Sequence, residues 1–242
     1  MNLQKLLIFD LDDTLLDTSD LYWRARTAFV EKVAKEGFDN QLIIDEFEKI
    51  DTKNTQEFGF SPHRYGKSMT ETYLLLCSRF NHKVQQKTLT FLNDVCSRIV
   101  VDTVPEILEG AIELLEWAYR KFYLVVLTRG EVNVQHRKLQ ESKLIKYFGG
   151  IYVVPYKNLQ VFQSTLAKTG FEPQKTWVIG DSIKSDINPG ILVGAKCILY
   201  NYKHHSYSWI QEHDSEPIGK FYKVNNLMEI KSLLESLNAC QK

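Results

Sequence analysis

Three carboxylates crowd into one short segment, Asp10-Leu11-Asp12-Asp13-Thr14, directly after the apolar run Leu6-Leu7-Ile8-Phe9. An apolar run of that length reads as a strand buried on both faces. The acids therefore stand where like charges repel and burial lifts carboxyl pKa values. A bound divalent cation removes that penalty, and hard carboxylate oxygens suit Mg2+. Such a site needs a second acidic group close by. One is found at Gly180-Asp181-Ser182-Ile183-Lys184-Ser185-Asp186, again just after an apolar run, Trp177 to Ile179. Asp13 and Thr14 also have a simpler assignment, as partners for the amides of the turn.

The elements that must carry these residues follow from the same pattern. Further apolar runs occupy Tyr123 to Leu127 before Thr128, Ile151 to Val154 before Pro155, and Lys196 to Tyr200 after Gly194. Helical patterns lie between them: one from Pro105, with Leu108, Ile112, Leu115 and Tyr119 at helical spacing, and others over about 158–168 and 226–237. Asn188-Pro189 reads as the cap and first turn of a further helix that Gly194 ends. Alternation of this kind predicts an α/β fold with a doubly wound, mostly parallel sheet. Right-handed crossovers would bring Asp10, Thr128 and Gly180 to one sheet edge. The stretch between the first two strands breaks the pattern. It reads as helices over about 21–36, 40–50, 65–80 and 84–100, with Gly59, Ser61-Pro62 and Gly66 marking a loop in the middle. The division expected is a catalytic core of residues 1–16 and 104–242 carrying a small helical domain of residues 17–103.

Composition narrows the partners. Lys plus Arg and Asp plus Glu each number 30, so there is no net field to gather nucleic acid or an acidic membrane. No segment approaches the roughly 20 apolar residues that cross a bilayer, and the start has no secretory hydrophobic region. Cys77, Cys96, Cys197 and Cys240 are scattered and lack zinc-ligand spacing, which fits reduced thiols in a cytoplasmic protein. No feature specifies an oligomeric state.

Taken in order, Asp10-Leu11-Asp12-Asp13-Thr14, Thr128, Lys157, and Gly180-Asp181 with Asp186 resemble the four signatures of the haloacid dehalogenase-like hydrolase superfamily. The resemblance spans nearly the whole chain and implies a Rossmann-like core with a helical cap inserted after the first strand. It implies a Mg2+-dependent phosphatase acting on a small phosphorylated metabolite. Asp10 would attack phosphorus and form an aspartyl-phosphate, while Asp12 would protonate the leaving alcohol and then activate water. Asp10, the main-chain carbonyl of Asp12 and Asp181 would hold Mg2+, with Asp186 either a ligand through water or a partner for Lys157. Thr128 and Lys157 would bind the phosphoryl group. Two positions depart from the usual pattern. Arg129 stands where relatives often have Asn, and either faces the phosphate as an added cation or points away; Lys157 lacks a following proline.

Asp12 favours phosphate chemistry over dehalogenation, because halide leaves without a proton. A sugar phosphomutase would use the same residues, and a non-catalytic binding protein could keep the fold. Leaving-group recognition is expected in the helical domain, with His63 and Arg64, beside Tyr65 and Lys67, in its central loop as substrate contacts. Tyr22, Trp23 and Arg26 are further candidates there. The aromatic cluster Tyr200, Tyr202, His204, His205, Tyr207 and Trp209 reads as packing at the sheet edge.

Overall fold

The computed structural model describes residues 4–59, 61–201 and 215–239, and they form two compact units. In the first unit, β1 (Leu6–Phe9) is followed by a turn and a two-residue strand, β2 (Leu16–Asp17). The second unit contains α1 (Thr18–Ala34, whose first residue belongs to the first unit), α2 (Asn40–Phe58), α3 (Pro62–Arg79) and α4 (Gln86–Cys96), extended by a π-helical turn, Ser97–Val101. The chain then returns to the first unit through β3 (Glu106–Ile107), α5 (Ala111–Ala118), β4 (Tyr123–Arg129), α6 (Val132–Glu141) and β5 (Gly150–Val154). It continues as α7 (Leu159–Thr169), β6 (Thr176–Gly180), α8 (Asn188–Leu192), β7 (Lys196–Tyr200), β8 (Tyr222–Val224) and α9 (Leu227–Ala239).

Six strands form one parallel sheet in the order β5-β4-β1-β6-β7-β8. Alternate residues of each strand face opposite helical layers. Leu7, Phe9, Leu124, Val126, Trp177 and Ile179 pack with Ala111, Leu114, Leu227 and Ile230, whereas Leu6, Ile8, Val125, Leu127 and Val178 pack with Phe162, Leu166 and Ile187. Burial on both faces explains why these strands are apolar without alternation. The chain leaves β1 toward β4 and β5, then crosses back to place β6 on the other side of β1. That reversal of winding opens a crevice at the carboxyl ends of the strands, the usual place for a ligand in such sheets.

Several local expectations are corrected. Pro105 does not open a helix: Glu106–Ile107 pair antiparallel with Leu16–Asp17, and α5 starts only after Gly110, whose φ is +81°. Strand pairing there outweighs the first-turn preference of proline. Asn188 is not a cap either, because a π-helical turn over Ile183–Ile187 runs into α8, and Ser182 caps it by accepting from the Ser185 amide at 3.1 Å. The edge strand β8, the short β2–β3 pair and α6 lie where no element was expected. Gly194, at φ +89°, does end α8.

The helical unit is built on aromatic contacts, Tyr22 on Tyr65, Tyr65 on Phe47, and Phe47 on Phe29, with ring centroids 5.0–5.3 Å apart. The segment expected as its central loop is helical from Pro62 on, so His63, Arg64, Tyr65 and Lys67 belong to the first turns of α3. Arg64 is buried and its guanidinium pairs with the Asp51 carboxylate, which makes it a poor substrate contact. His63 is exposed. Cys77 and Cys197 are buried free thiols, and burial pushes Cys197 up to about 12, so it is unreactive. Of the aromatic cluster, Tyr200 is buried in β7, while Tyr202, His204, His205, Tyr207 and Trp209 lie outside the described residues. No helix among the described residues is long and apolar enough to cross a membrane.

Candidate active site

Parallel register decides which side chains meet. Phe9 stands level with Val126 of β4 and Ile179 of β6, and the Asp10 amide bonds the Ile179 carbonyl at 2.9 Å. Asp10 therefore leaves the sheet between the ends of two neighbouring strands, each about 4.8 Å away. The chain turns at once. The amides of Leu15 and Leu16 both bond the Leu11 carbonyl, and Asp13 takes φ +60°, a left-handed conformation that aspartate tolerates. Asp13 is thus a turn residue. The Thr14 hydroxyl is buried with no hydrogen-bond partner among the described residues, so it does not serve the turn amides.

Around Asp10 the structure gathers three carboxylates and one ammonium. Oxygens of Asp10, Asp181 and Asp186 lie within 4.8 Å of one another. Lys157, three residues beyond β5, donates to Asp10 Oδ1 and to Asp186 Oδ1, the latter at 2.8 Å. The second Asp186 oxygen accepts from the Ser182 amide at 3.2 Å. Asp186 is thus both a partner of Lys157 and a member of the acidic cluster. Hard oxygen donors are what Mg2+ takes, so these three carboxylates would suit that ion.

Electrostatics agree with a cation-requiring site. Burial pushes the Asp10 carboxyl well above the usual range; Lys157 opposes that, while Asp186, Asp181 and Asp12 add repulsion. Asp186 is raised as well, again chiefly by burial. For Lys157, burial favours the neutral amine, but Asp10 and Asp186 prevail and raise it to about 12. Two buried carboxylates thus share one lysine.

Asp12 lies in a different environment. Burial pushes its pKa up, but the charge of Lys138 and hydrogen bonds from Lys138, Thr18 and Gln135 outweigh that and hold it below the usual carboxylate range. Lys138 Nζ and Thr18 Oγ1 donate to Asp12 Oδ1 at 2.7 and 2.6 Å, and Gln135 Nε2 donates to Oδ2 at 2.7 Å. Gln135 also donates to Thr128 Oγ1 at 2.6 Å and approaches the Arg129 carbonyl at 3.3 Å. Arg129 is the half-buried last residue of β4. Gln135 and Lys138 were missed in the sequence because α6 buries polar side chains and so lacks an apolar stripe. Their spacing of three, just after the strand carrying Thr128, puts them on one helix face and was the available signal.

Gly180 is sterically required. A Cβ there would stand well inside van der Waals distance of the Asp186 carboxyl. Gly180→Ala is expected to displace Asp186 and weaken Mg2+ binding about 10- to 100-fold, the range typical when groups supporting a metal site are disturbed. Isothermal titration with MgCl2 measures it, and unchanged affinity would show that Asp186 does not matter for the cation.

Comparison with known proteins agrees with this architecture. The family model described as haloacid dehalogenase-like hydrolase matches residues 4–194. The chain is 26% identical to the pyrimidine 5'-nucleotidase PynA of Streptococcus pneumoniae over 244 residues, covering 96% of this chain and 98% of that one. It is 26% identical to the glyceraldehyde 3-phosphate phosphatase of Pyrococcus abyssi, with 82% of each covered. A solved haloacid dehalogenase-like hydrolase from Xanthomonas campestris superposes with a TM-score of 0.78 at 21% identity, over 97% of this chain and 96% of that one. With its parallel sheet and acidic strand ends, the chain belongs to the haloacid dehalogenase-like hydrolase family.

Proposed function

We propose that the protein is a Mg2+-dependent phosphatase of small phosphate monoesters that works through an aspartyl-phosphate on Asp10. The observation that carries this reading is the buried Asp10 carboxylate, paired with Lys157 and within 4.8 Å of the Asp181 and Asp186 oxygens. Asp10, Asp181 and the Asp12 carbonyl would hold Mg2+, with Asp186 beside it. When bound, the ion would supply positive charge that keeps Asp10 ionised and lessens its repulsion of the anionic phosphoryl group.

An Asp10 oxygen attacks phosphorus as the bond to the leaving oxygen breaks. The Lys157 ammonium binds a phosphoryl oxygen as charge grows there. Thr128 and Arg129, the last two residues of β4, are the further candidates for that contact. Asp12, held ionised, is set to accept a proton from the water that attacks the phosphoenzyme. Its acid role in the first step needs a proton brought with the ester, and a phosphate monoester with a second pKa of about 6 carries one in its monoanion. The helical unit over residues 19–104 is the part of the chain that this reading makes responsible for leaving-group selection. Relatives named for a nucleotide and a triose phosphate support small metabolites as the substrate class.

The test is phosphate release from 4-nitrophenyl phosphate, nucleoside monophosphates and triose phosphates. Release is expected with Mg2+ and none after removal of the ion with EDTA. Equal release in both conditions would sink the metal-dependent mechanism.

A further inference from the structure

Thr128 holds a clue that neither the sheet nor the acidic cluster explains. Its hydroxyl is fully buried and accepts a hydrogen bond from Gln135 Nε2 at 2.6 Å, so Gln135 cannot take the hydroxyl's own proton. A hydroxyl carries one donor and two acceptor positions. With an acceptor position taken by Gln135, the hydrogen is turned away from the Gln135 amide, which frees it to be donated to a ligand oxygen.

The orientation of the Gln135 amide follows from its other partner. An ionised carboxylate only accepts, so the amide must present its NH2 group, and not its oxygen, to Asp12 Oδ2. The two amide hydrogens serve the two short contacts, Asp12 Oδ2 at 2.7 Å and Thr128 Oγ1 at 2.6 Å, with the Arg129 carbonyl a longer third at 3.3 Å. Gln135 is itself only 2% exposed. Packing confines it further: Gly130, at φ +144°, lies so close that a Cβ there would come within 3.3 Å of Gln135 Cγ and Cδ. Lys138 and Thr18 hold only Oδ1 of Asp12, which leaves the placement of Oδ2 to Gln135.

We propose that Gln135 is a positioning residue that fixes two reacting partners at once, turning the Thr128 hydrogen toward a phosphoryl oxygen and clamping the Asp12 carboxylate. This rests on the phosphatase reading above. Gln135 reaches the substrate only through Thr128 and Asp12, so its effects should disappear when those groups are removed.

Gln135→Leu, which keeps bulk but removes both donors, is expected to lower kcat/KM with 4-nitrophenyl phosphate about 10- to 100-fold, as loss of an outer partner commonly does. It should also weaken competitive inhibition by inorganic phosphate by a similar factor. Gln135→Glu, which keeps the shape and opposes a carboxylate to Asp12, should do at least as much harm with Mg2+ binding intact. In an Asp12→Asn background the kcat part of the loss should vanish, and in a Thr128→Val background the phosphate-affinity part should vanish. An active wild type with an unimpaired Gln135→Leu would overturn this proposal alone. So would a Gln135→Leu loss that multiplies unchanged in both backgrounds, since that is a diffuse structural effect. A wild type no more active than Asp10→Asn would remove the phosphatase reading and this one with it.

Discussion

Asp10→Asn is expected to abolish turnover, with kcat for 4-nitrophenyl phosphate falling by at least about 10⁴-fold, the scale on which loss of a covalent nucleophile is felt. The amide keeps the shape and cannot attack phosphorus. The same substitution should leave the metal-free fold intact or firmer, because it removes one of the crowded charges. The sign follows from the raised pKa of Asp10. The native state favours the protonated acid, so its contribution is full below the ordinary value of 3.8 and is lost as pH rises through the raised folded pKa. Urea denaturation of both proteins without metal should therefore show the wild type losing ground to Asp10→Asn as pH increases from about 4 toward 8. A wild type that gains on the variant with pH would mean that Asp10 is stabilised as an anion without a cation, contrary to the electrostatics of the cluster.

Lys157→Met is expected to damage both stability and activity. The lysine is the shared partner of two buried carboxylates, and removing one member of a buried ion pair costs about 3–5 kcal/mol because the other is left uncompensated. Protonation of Asp10 or Asp186 relieves part of this, so the loss should be larger at pH 8 than at pH 5. The wild-type lysine, raised to about 12, keeps its contribution throughout that interval and loses it only as pH climbs past the ordinary value of 10.5 toward 12. Added Mg2+ should recover part of the stability, since it returns positive charge to the cluster. Turnover should not recover: a fixed cation facing the growing phosphoryl charge is commonly worth about 10²- to 10³-fold in kcat. Denaturation midpoints with and without MgCl2, alongside kcat, separate the two effects. A variant as stable as wild type without metal would mean that Lys157 does not neutralise the acids.

The parts of the fold legible in the sequence were those where one physical demand dominated. Strands buried on both faces announce themselves as apolar runs, and Lys196–Tyr200 and Leu6–Phe9 occur with the expected bounds. Where two demands competed, the pattern misled. Pro105 suits a helix start, but pairing with Leu16–Asp17 takes precedence. Gly59, Ser61-Pro62 and Gly66 resemble loop punctuation, yet Pro62 is favourable in a first helical turn, and Gly66 is carried inside α3 by the aromatic packing around it. Arg64 shows the same limit at the level of a side chain, because nothing local announces that Asp51 on the preceding helix will bury it.

For the candidate site, the acids could be found because carboxylates after apolar runs demand an explanation. Asp10, Asp181, Asp186 and Lys157 meet because β1 lies between β4 and β6, an order set by the crossover rather than by any single motif. The surroundings of Asp12 were hidden for the opposite reason. Gln135 and Lys138 are buried polar residues on a helix whose apolar pattern is weak, and only their partners reveal why they are inside.

Phosphoryl transfer to Asp10 itself can be trapped. Borohydride reduces an aspartyl-phosphate to homoserine, so quenching the enzyme during turnover and mapping its peptides by mass spectrometry reports which carboxylate carried the group. Homoserine at position 10, formed only when substrate and Mg2+ are both present, is the expected result. Turnover that leaves Asp10 unmodified while another residue is reduced would contradict the central claim.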